Sequence, residues 1–275
     1  KEMTGFASWN MFGSLAAITF TQGLNLLLNM FFGPVVNAAR GIAVQAQTAI
    51  GQFSSNFQTA LNPQITKSYA TGDMEYMHGL IFRSAKFSFF LLLLLSLPVL
   101  IETKAILTLW LKIVPDHTVV FLRIMLCTTW VYAVSNPLIT AASATGKIKL
   151  YQSVVGGLLL LILPISYLCL RFGLPAYSVF IVHLVIEITA QFARLLMLKR
   201  MIKLSLREYF SKVVWCIFKV TAIALAVPLA VAYWQPGEGI WNLLTIFLIC
   251  AISTSMSVYL SLIHISEPTR RRGIS

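Results

Sequence analysis

The stretch FSFFLLLLLSLPVLI, residues 87–101, holds no charged residue, and its only polar side chains are Ser88 and Ser96. A helix crosses a bilayer with about 20 consecutive apolar residues. Extended back to Phe82, this run has the required length. A second run, VVGGLLLLILPISYLCL at 154–170, is equally free of charge. The whole chain follows them: 58% of its 275 residues are hydrophobic and 11% charged, against about 25% charged in soluble domains. Mean hydropathy is +0.81. A water-exposed surface cannot be built from so few charges. The composition therefore predicts an all-α integral membrane protein that crosses the bilayer several times.

Hydropathy and punctuation place eight spans near 9–32, 35–62, 82–101, 118–143, 150–171, 176–198, 212–234 and 240–260. Gly33-Pro34 is expected to turn the chain between the first two. Asn62-Pro63 is expected to close the second. Pro98, Pro164 and Pro228 fall inside helices, which membrane proteins tolerate where neighbours satisfy the freed carbonyls. AILTLWLK (105–112) is too short to span and reads as interfacial. KRMIKLSLREYFSK (199–212) reads as an amphipathic helix on the membrane surface.

The net charge is +12. In a soluble protein that would suggest nucleic acid. Here Lys and Arg sit between apolar segments, and no aromatic-basic interleaving marks a nucleic-acid surface. They set orientation instead. With eight spans, Lys1, Lys67, Arg83, Lys86, Lys147, Lys149, Lys199, Arg200, Lys203, Arg207 and Lys212 fall on one side. Only Lys104, Lys112 and Arg171, with Arg123 near the boundary, fall on the other. The basic side is expected to be cytoplasmic, with both ends of the chain on it. Cys127, Cys169, Cys216 and Cys250 are scattered through apolar segments, without disulfide or metal-ligand spacing. No cofactor or metal site is indicated, and no nucleophile–base motif or P-loop appears, so the chain is not expected to be an enzyme.

The chain opens on Lys1 and enters apolar sequence almost at once, which reads as a fragment of a longer protein. From Leu260 the segment LSLIHISEPTRR resembles the translation of a sequencing-library adapter. The alternative is a genuine basic tail.

One segment breaks the apolar pattern. In FFGPVVNAARGIAVQAQ (31–47) and its continuation, Asn37, Arg40, Gln47, Gln58 and Asn62 recur at helical spacing with Val44, Gly51 and Ser55. Gln45, Gln52 and Asn56 widen that face. On the preceding helix Gln22, Asn25 and Asn29 share a face. Lipid satisfies none of these groups, and each would cost several kcal/mol there. They serve either as hydrogen-bonded glue between helices or as the lining of a water-filled cavity, which ten amides on adjacent helices favour. Arg40 could snorkel to the interface or face the same cavity, where its planar fork of donors would suit phosphate. On the sixth span His183, Glu187 and Arg194 are ionisable. Glu187 and His183 could relay protons or bind a cation, or be a satisfied helix–helix pair. Direct pairing of Glu187 with Arg194 across two turns is not expected.

Two stretches carry a family likeness. WNMFGSLAAITFTQGLNLLLNMFFGPVVNAARGIAVQAQTAIGQFSSNFQTALNPQITKSYATGD (9–73) and NPLITAASATGKIKLYQSVVGG (136–157) resemble O-antigen and capsule flippases. These belong to the multidrug/oligosaccharidyl-lipid/polysaccharide exporters, a MATE-like superfamily. The resemblance implies two six-helix lobes around a central cavity, often with two appended helices. Residues 1–200 would be the second lobe, 201–259 an amphipathic segment plus the appended pair, and 260–275 not native. It implies a missing N-terminal lobe as partner and a polyprenyl-pyrophosphate-linked oligosaccharide as substrate. That substrate would be moved between leaflets of the bacterial inner membrane by alternating access. Arg40, Asn37, Gln47, Gln22, Asn25, Asn29, Gln52, Asn56 and Gln58 would line the cavity. A cation-coupled multidrug exporter is the alternative, and a membrane polymerase or ligase a further one.

Overall fold

The structure, a computed structural model, describes residues 2–234 and 239–270. Every regular element among them is helical. In chain order they are α1 (Glu2–Phe32), α2 (Pro34–Ala70), α3 (Met74–Ile101), α4 (Thr103–Leu111), α5 (Thr118–Ala144), α6 (Ile148–Leu160), α7 (Ile162–Arg171), α8 (Ser178–Met201), α9 (Leu206–Tyr209), a π-helical turn (Phe210–Val214), α10 (Trp215–Trp234) and α11 (Ile240–Arg270). Residues 271–275 of the adapter-like segment lie outside the described residues.

Seven helical stretches among the described residues are long and apolar enough to cross a membrane, one fewer than the sequence suggested. The exception is the expected span 35–62. It is helical, within a 37-residue α2 that would measure roughly 55 Å at 1.5 Å per residue, but its amides make it too polar to qualify. On the other helices large apolar side chains such as Leu26, Phe218, Ile223, Leu248 and Ile252 stay exposed. That outer surface suits hydrocarbon, not water. The fold is that of a multi-pass membrane protein.

Helix ends follow local chemistry. Gly33 has φ +79° and ψ −178°, a conformation essentially reserved for glycine, and Pro34 starts α2. Asp73 caps α3 by accepting from the Tyr76 N–H at 3.0 Å. Two expectations need correction. Asn62-Pro63 does not close the second helix, because α2 continues to Ala70. Burial of Ile65 and Ser68 beyond the proline holds those extra turns in place. The span expected at 150–171 is present as one membrane-crossing stretch, Ile148–Arg171, kinked at Leu161 between α6 and α7. Pro164 lacks an N–H and its ring crowds the carbonyl one turn back. Residues 199–212 form no separate surface helix. They are the last turn of α8, a break in which Lys203 adopts φ +55°, and the start of α9. Ser205 caps α9, accepting from the Glu208 N–H, and the buried Tyr209 anchors it. The nine-residue α4 covers most of 105–112 and is too short to cross a bilayer.

α2 and α5 form the axis of the bundle. At one end Ile65, Met77, Ile81, Leu138, Leu198 and Tyr209 join α2, α3, α5, α8 and α9. At the other, Leu24, Leu28, Ala39, Ala43, Phe121 and Phe180 join α1, α2, α5 and α8. α10 and α11 pair with each other and lean on α3 through Phe89, Leu93, Leu97, Val220, Ala224 and Cys250. Between helices in lipid such packing and a few hydrogen bonds replace the hydrophobic effect.

Candidate functional site: a cavity behind a polar helix

The polar residues of α2 divide into two stripes. One turns inward along α5 and α3. Gln47 Nε2 donates to Thr129 Oγ1 at 2.7 Å and to the Met125 carbonyl at 3.3 Å. Gln58 Nε2 donates to the Ala133 carbonyl at 2.7 Å. Asn62 Oδ1 accepts from Thr140 Oγ1 at 2.9 Å, and Ser54 Oγ donates to the Ser88 carbonyl at 3.0 Å. These rungs act as interhelical glue. The other stripe, Gln45, Thr48, Gln52, Ser55, Asn56 and Thr59, is exposed. Among the described residues its side chains bond within α2 itself, Gln52 Nε2 to Asn56 Oδ1 at 2.8 Å and Thr59 Oγ1 to the Ser55 carbonyl at 2.9 Å. On α1, Gln22 and Asn29 are also exposed.

Arg40 is 7% exposed and faces α1. It donates to Asn25 Oδ1 and, at 3.3 Å, to the Thr21 carbonyl. Asn25 Nδ2 in turn donates to Gln22 Oε1 at 3.2 Å. The Arg40 Nε and the Asn37 Oδ1 are buried without a hydrogen-bond partner among the described residues.

A cavity of about 540 Å³ opens between α1, α2, α5, α6 and α8, within the roughly 300–1,000 Å³ usual for small-molecule sites. Thr21, Gln47, Thr129, Tyr132, Tyr151, His183, Glu187 and Arg194 supply its polar and aromatic wall. Of the residues singled out in the sequence, Gln47, His183, Glu187 and Arg194 therefore come together here. Arg40 stands directly behind the wall, bonded to the backbone of its lining residue Thr21. Asn25 and Gln22 belong to the Arg40 cluster. Gln58 is sealed against α5. Gln52, Asn56 and Asn29 lie on the exposed faces.

The cavity floor rests on a buried network that sequence reasoning missed. Arg194 and Glu187 do pair directly, Nη1 to Oε1 at 2.7 Å, and are 2% and 4% exposed. Side chains on a helix lean toward its N-terminus, so the long Arg194 reaches back two turns. It also donates to Tyr151 Oη at 3.3 Å and to Ser135 Oγ at 3.2 Å. Ser135 donates to Gln191 Oε1 at 2.6 Å, and Gln191 Nε2 to Tyr209 Oη at 3.3 Å. The chain of contacts thus ties α5, α6, α8 and α9 together. No sequence signal marks Tyr151 or Ser135 for this role; their spacing is that of ordinary core residues. His183 packs against Phe20 with ring centroids 5.0 Å apart and the ring planes tilted by 58°.

Chemically, the cavity offers a neutralised ion pair, an imidazole, hydroxyls, an amide and aromatic faces. That set suits hydroxyl-rich ligands better than a free cation, because Arg194 already occupies the carboxylate. No family model, no curated protein and no solved structure matches the chain.

Proposed function

We propose that this chain is part of a flippase. The whole protein would carry a polyprenyl-pyrophosphate-linked oligosaccharide from the cytoplasmic to the periplasmic leaflet of a bacterial inner membrane, for O-antigen, capsule or exopolysaccharide assembly. The observation that carries this reading is the uncovered polar stripe of α2, from Gln45 to Thr59, set between apolar membrane helices. Each polar group facing hydrocarbon costs several kcal/mol. Gln45, Gln52 and Asn56 alone would lose about 10 kcal/mol, comparable to the whole stability of a typical domain. The stripe therefore faces water, and a second helical lobe across that water would complete a transport cavity. Amides and hydroxyls along it would hydrogen-bond sugar hydroxyls. With α2 counted as a crossing, the asymmetric loop charges support a cytoplasmic basic side that holds both ends of the chain.

The sequence likeness to polysaccharide flippases supplies the substrate class. A cation-coupled multidrug exporter is the second reading, supported by Glu187 and His183 in the cavity wall but weakened by the Arg194 counter-charge. Single cysteines at Gln45, Gln52 and Asn56, in a background with the four native cysteines replaced by serine, test the aqueous stripe. A membrane-impermeant thiol reagent should label them and spare a cysteine at Ile223. Lack of labelling at all three would refute the cavity. Loss of the gene should abolish surface glycan and accumulate its lipid-linked precursor. Unchanged glycan with altered drug susceptibility would instead favour the exporter.

A further inference from the structure

α5 runs from Thr118 to Ala144 with Pro137 inside it. Proline has no N–H, so Pro137 cannot donate to the Ala133 carbonyl one turn back, and its ring crowds that carbonyl. A side chain of another helix takes the missing donor's place. Gln58 of α2 is 2% exposed, and its Nε2 donates to the Ala133 carbonyl at 2.7 Å. The same exchange recurs in α10. Pro228 leaves the Ala224 carbonyl without its helical donor, and Ser253 Oγ of α11 donates to it at 3.3 Å. Neighbouring side chains of this kind are what make an internal proline tolerable in a membrane helix. In α5 a rung of the helix has thus been traded for one between two helices, and its stiffness at this turn depends on α2.

The turn lies between the two cores at the ends of the bundle. Leu138, Ala141 and Ala142, just past the proline, belong to one. Phe121, Leu122 and Leu126 belong to the other. α8 crosses the same boundary, with Ile186 in one core and Leu195 in the other, but contains no proline. α5 therefore has a weak point that α8 lacks. The weak point also touches the cavity. Tyr132 lines the cavity beside it, and Ser135, within the turn, accepts from Arg194 Nη1 of α8 at 3.2 Å. Bending α5 here moves Tyr132 and Ser135 against His183, Glu187 and Arg194.

We propose that the turn at 133–137 is a hinge in α5 and that Gln58 is its latch. The latch fixes α5 against α8 and so sets the shape of the cavity between them. This inference concerns the cavity's shape and does not depend on what the cavity carries.

The latch is tested by melting the purified full chain in detergent, with Gln58→Leu, Pro137→Ala and the double variant. Q58L alone should lower the melting point by roughly 2–12 °C. P137A supplies an N–H at position 137 for the Ala133 carbonyl, so adding Q58L to it should cost less than half as much. An equal loss in both backgrounds overturns the latch. Should Q58L fail to fold alone, a folded double variant supports the latch, and failure of the double variant as well overturns it.

The hinge is read separately, by a cysteine at Tyr132 in a background with the four native cysteines replaced by serine. A small membrane-impermeant thiol reagent labels it, and a cysteine at the exposed Lys104 is the control. Loss of one net hydrogen bond changes the ratio of two states by about two- to tenfold. Q58L should shift the labelling rate at position 132 by that factor, and P137A should shift it in the opposite direction, with position 104 unchanged. P137A makes this reading without touching Gln58. A rate at position 132 that neither folded variant moves overturns the hinge and leaves Gln58 a purely structural bond.

Discussion

Glu187→Gln removes one charge from the pair beneath the cavity and leaves Arg194 buried without its counter-ion. The two groups are 2.7 Å apart and almost fully enclosed. Breaking a buried pair by removing one partner costs about 3–5 kcal/mol. Arg194 keeps Tyr151 and Ser135 as acceptors, and Gln still offers an oxygen, so the loss should sit at the lower end, about 3 kcal/mol. For a chain of this size each kcal/mol moves the melting point by roughly 2–4 °C. E187Q should therefore melt roughly 6–12 °C below the parent protein. Tryptophan fluorescence during heating in detergent reads this, since Trp130 is fixed inside the bundle by a 2.7 Å bond from Nε1 to Ser96 Oγ. The double variant Glu187→Gln/Arg194→Met removes both charges and should recover more than half of the loss, because no unpaired ion remains. A melting point for E187Q within about 2 °C of the parent, or a double variant as damaged as the sum of the singles, would refute the view that the pair is a coupled buried unit.

Other substitutions probe separate parts of the fold. Arg40→Glu should sharply reduce surface glycan while membrane levels of the protein, measured by immunoblot, stay near normal; full export would remove Arg40 from the transport path. Gln58→Leu deletes the donor to the Ala133 carbonyl and should cost about 1–3 kcal/mol, read as a lower melting point. Gly33→Ala forces a side chain into φ +79° and should cost about 1–3 kcal/mol, also read by melting. Pro164→Ala restores a backbone donor at the α6–α7 break and should raise stability modestly if that break is only a consequence of the proline. A fall would show that the bend is needed for packing.

Most of the helices were legible because their signal is a simple length of apolar sequence, and Gly33-Pro34 was legible because few residues besides glycine accept that backbone. The ends were harder. Pro63 reads locally as a stop, but tertiary burial of Ile65 outweighs the one hydrogen bond a proline removes. The kink at Leu161 was legible from Pro164, although its exact residue was not. In residues 199–212 the charges suggested a surface helix. The decisive feature was instead one buried phenol, Tyr209, which pulls the segment into the bundle. The polar faces of α1 and α2 were visible as faces, but their division was not. Gln45 and Gln47 are two residues apart, and their fate depends on where α5 packs, which no spacing within α2 records. The direct contact of Glu187 and Arg194 was missed because i, i+7 spacing is normally too far for a pair. Burial favours the extended geometry that closes it.

The two buried arginines are physically different, and that difference bears on the proposed chemistry. Arg194 has a carboxylate, a phenol and a hydroxyl as partners, so its charge is cancelled where it stands and its field across the cavity is that of a dipole. Arg40 has only an amide oxygen and a backbone carbonyl, with its Nε unbonded and no carboxylate among its described partners. Its charge is therefore uncompensated, and it lies one residue's thickness behind the cavity wall at Thr21. In a medium of low dielectric such a charge acts over longer distances than it would in water. An anionic group passing along α1 and α2 would be attracted to that point without displacing any existing ion pair. A cation would be repelled there and would find Glu187 already occupied. The asymmetry favours an anionic carrier, such as a pyrophosphate-linked sugar, over a cationic drug.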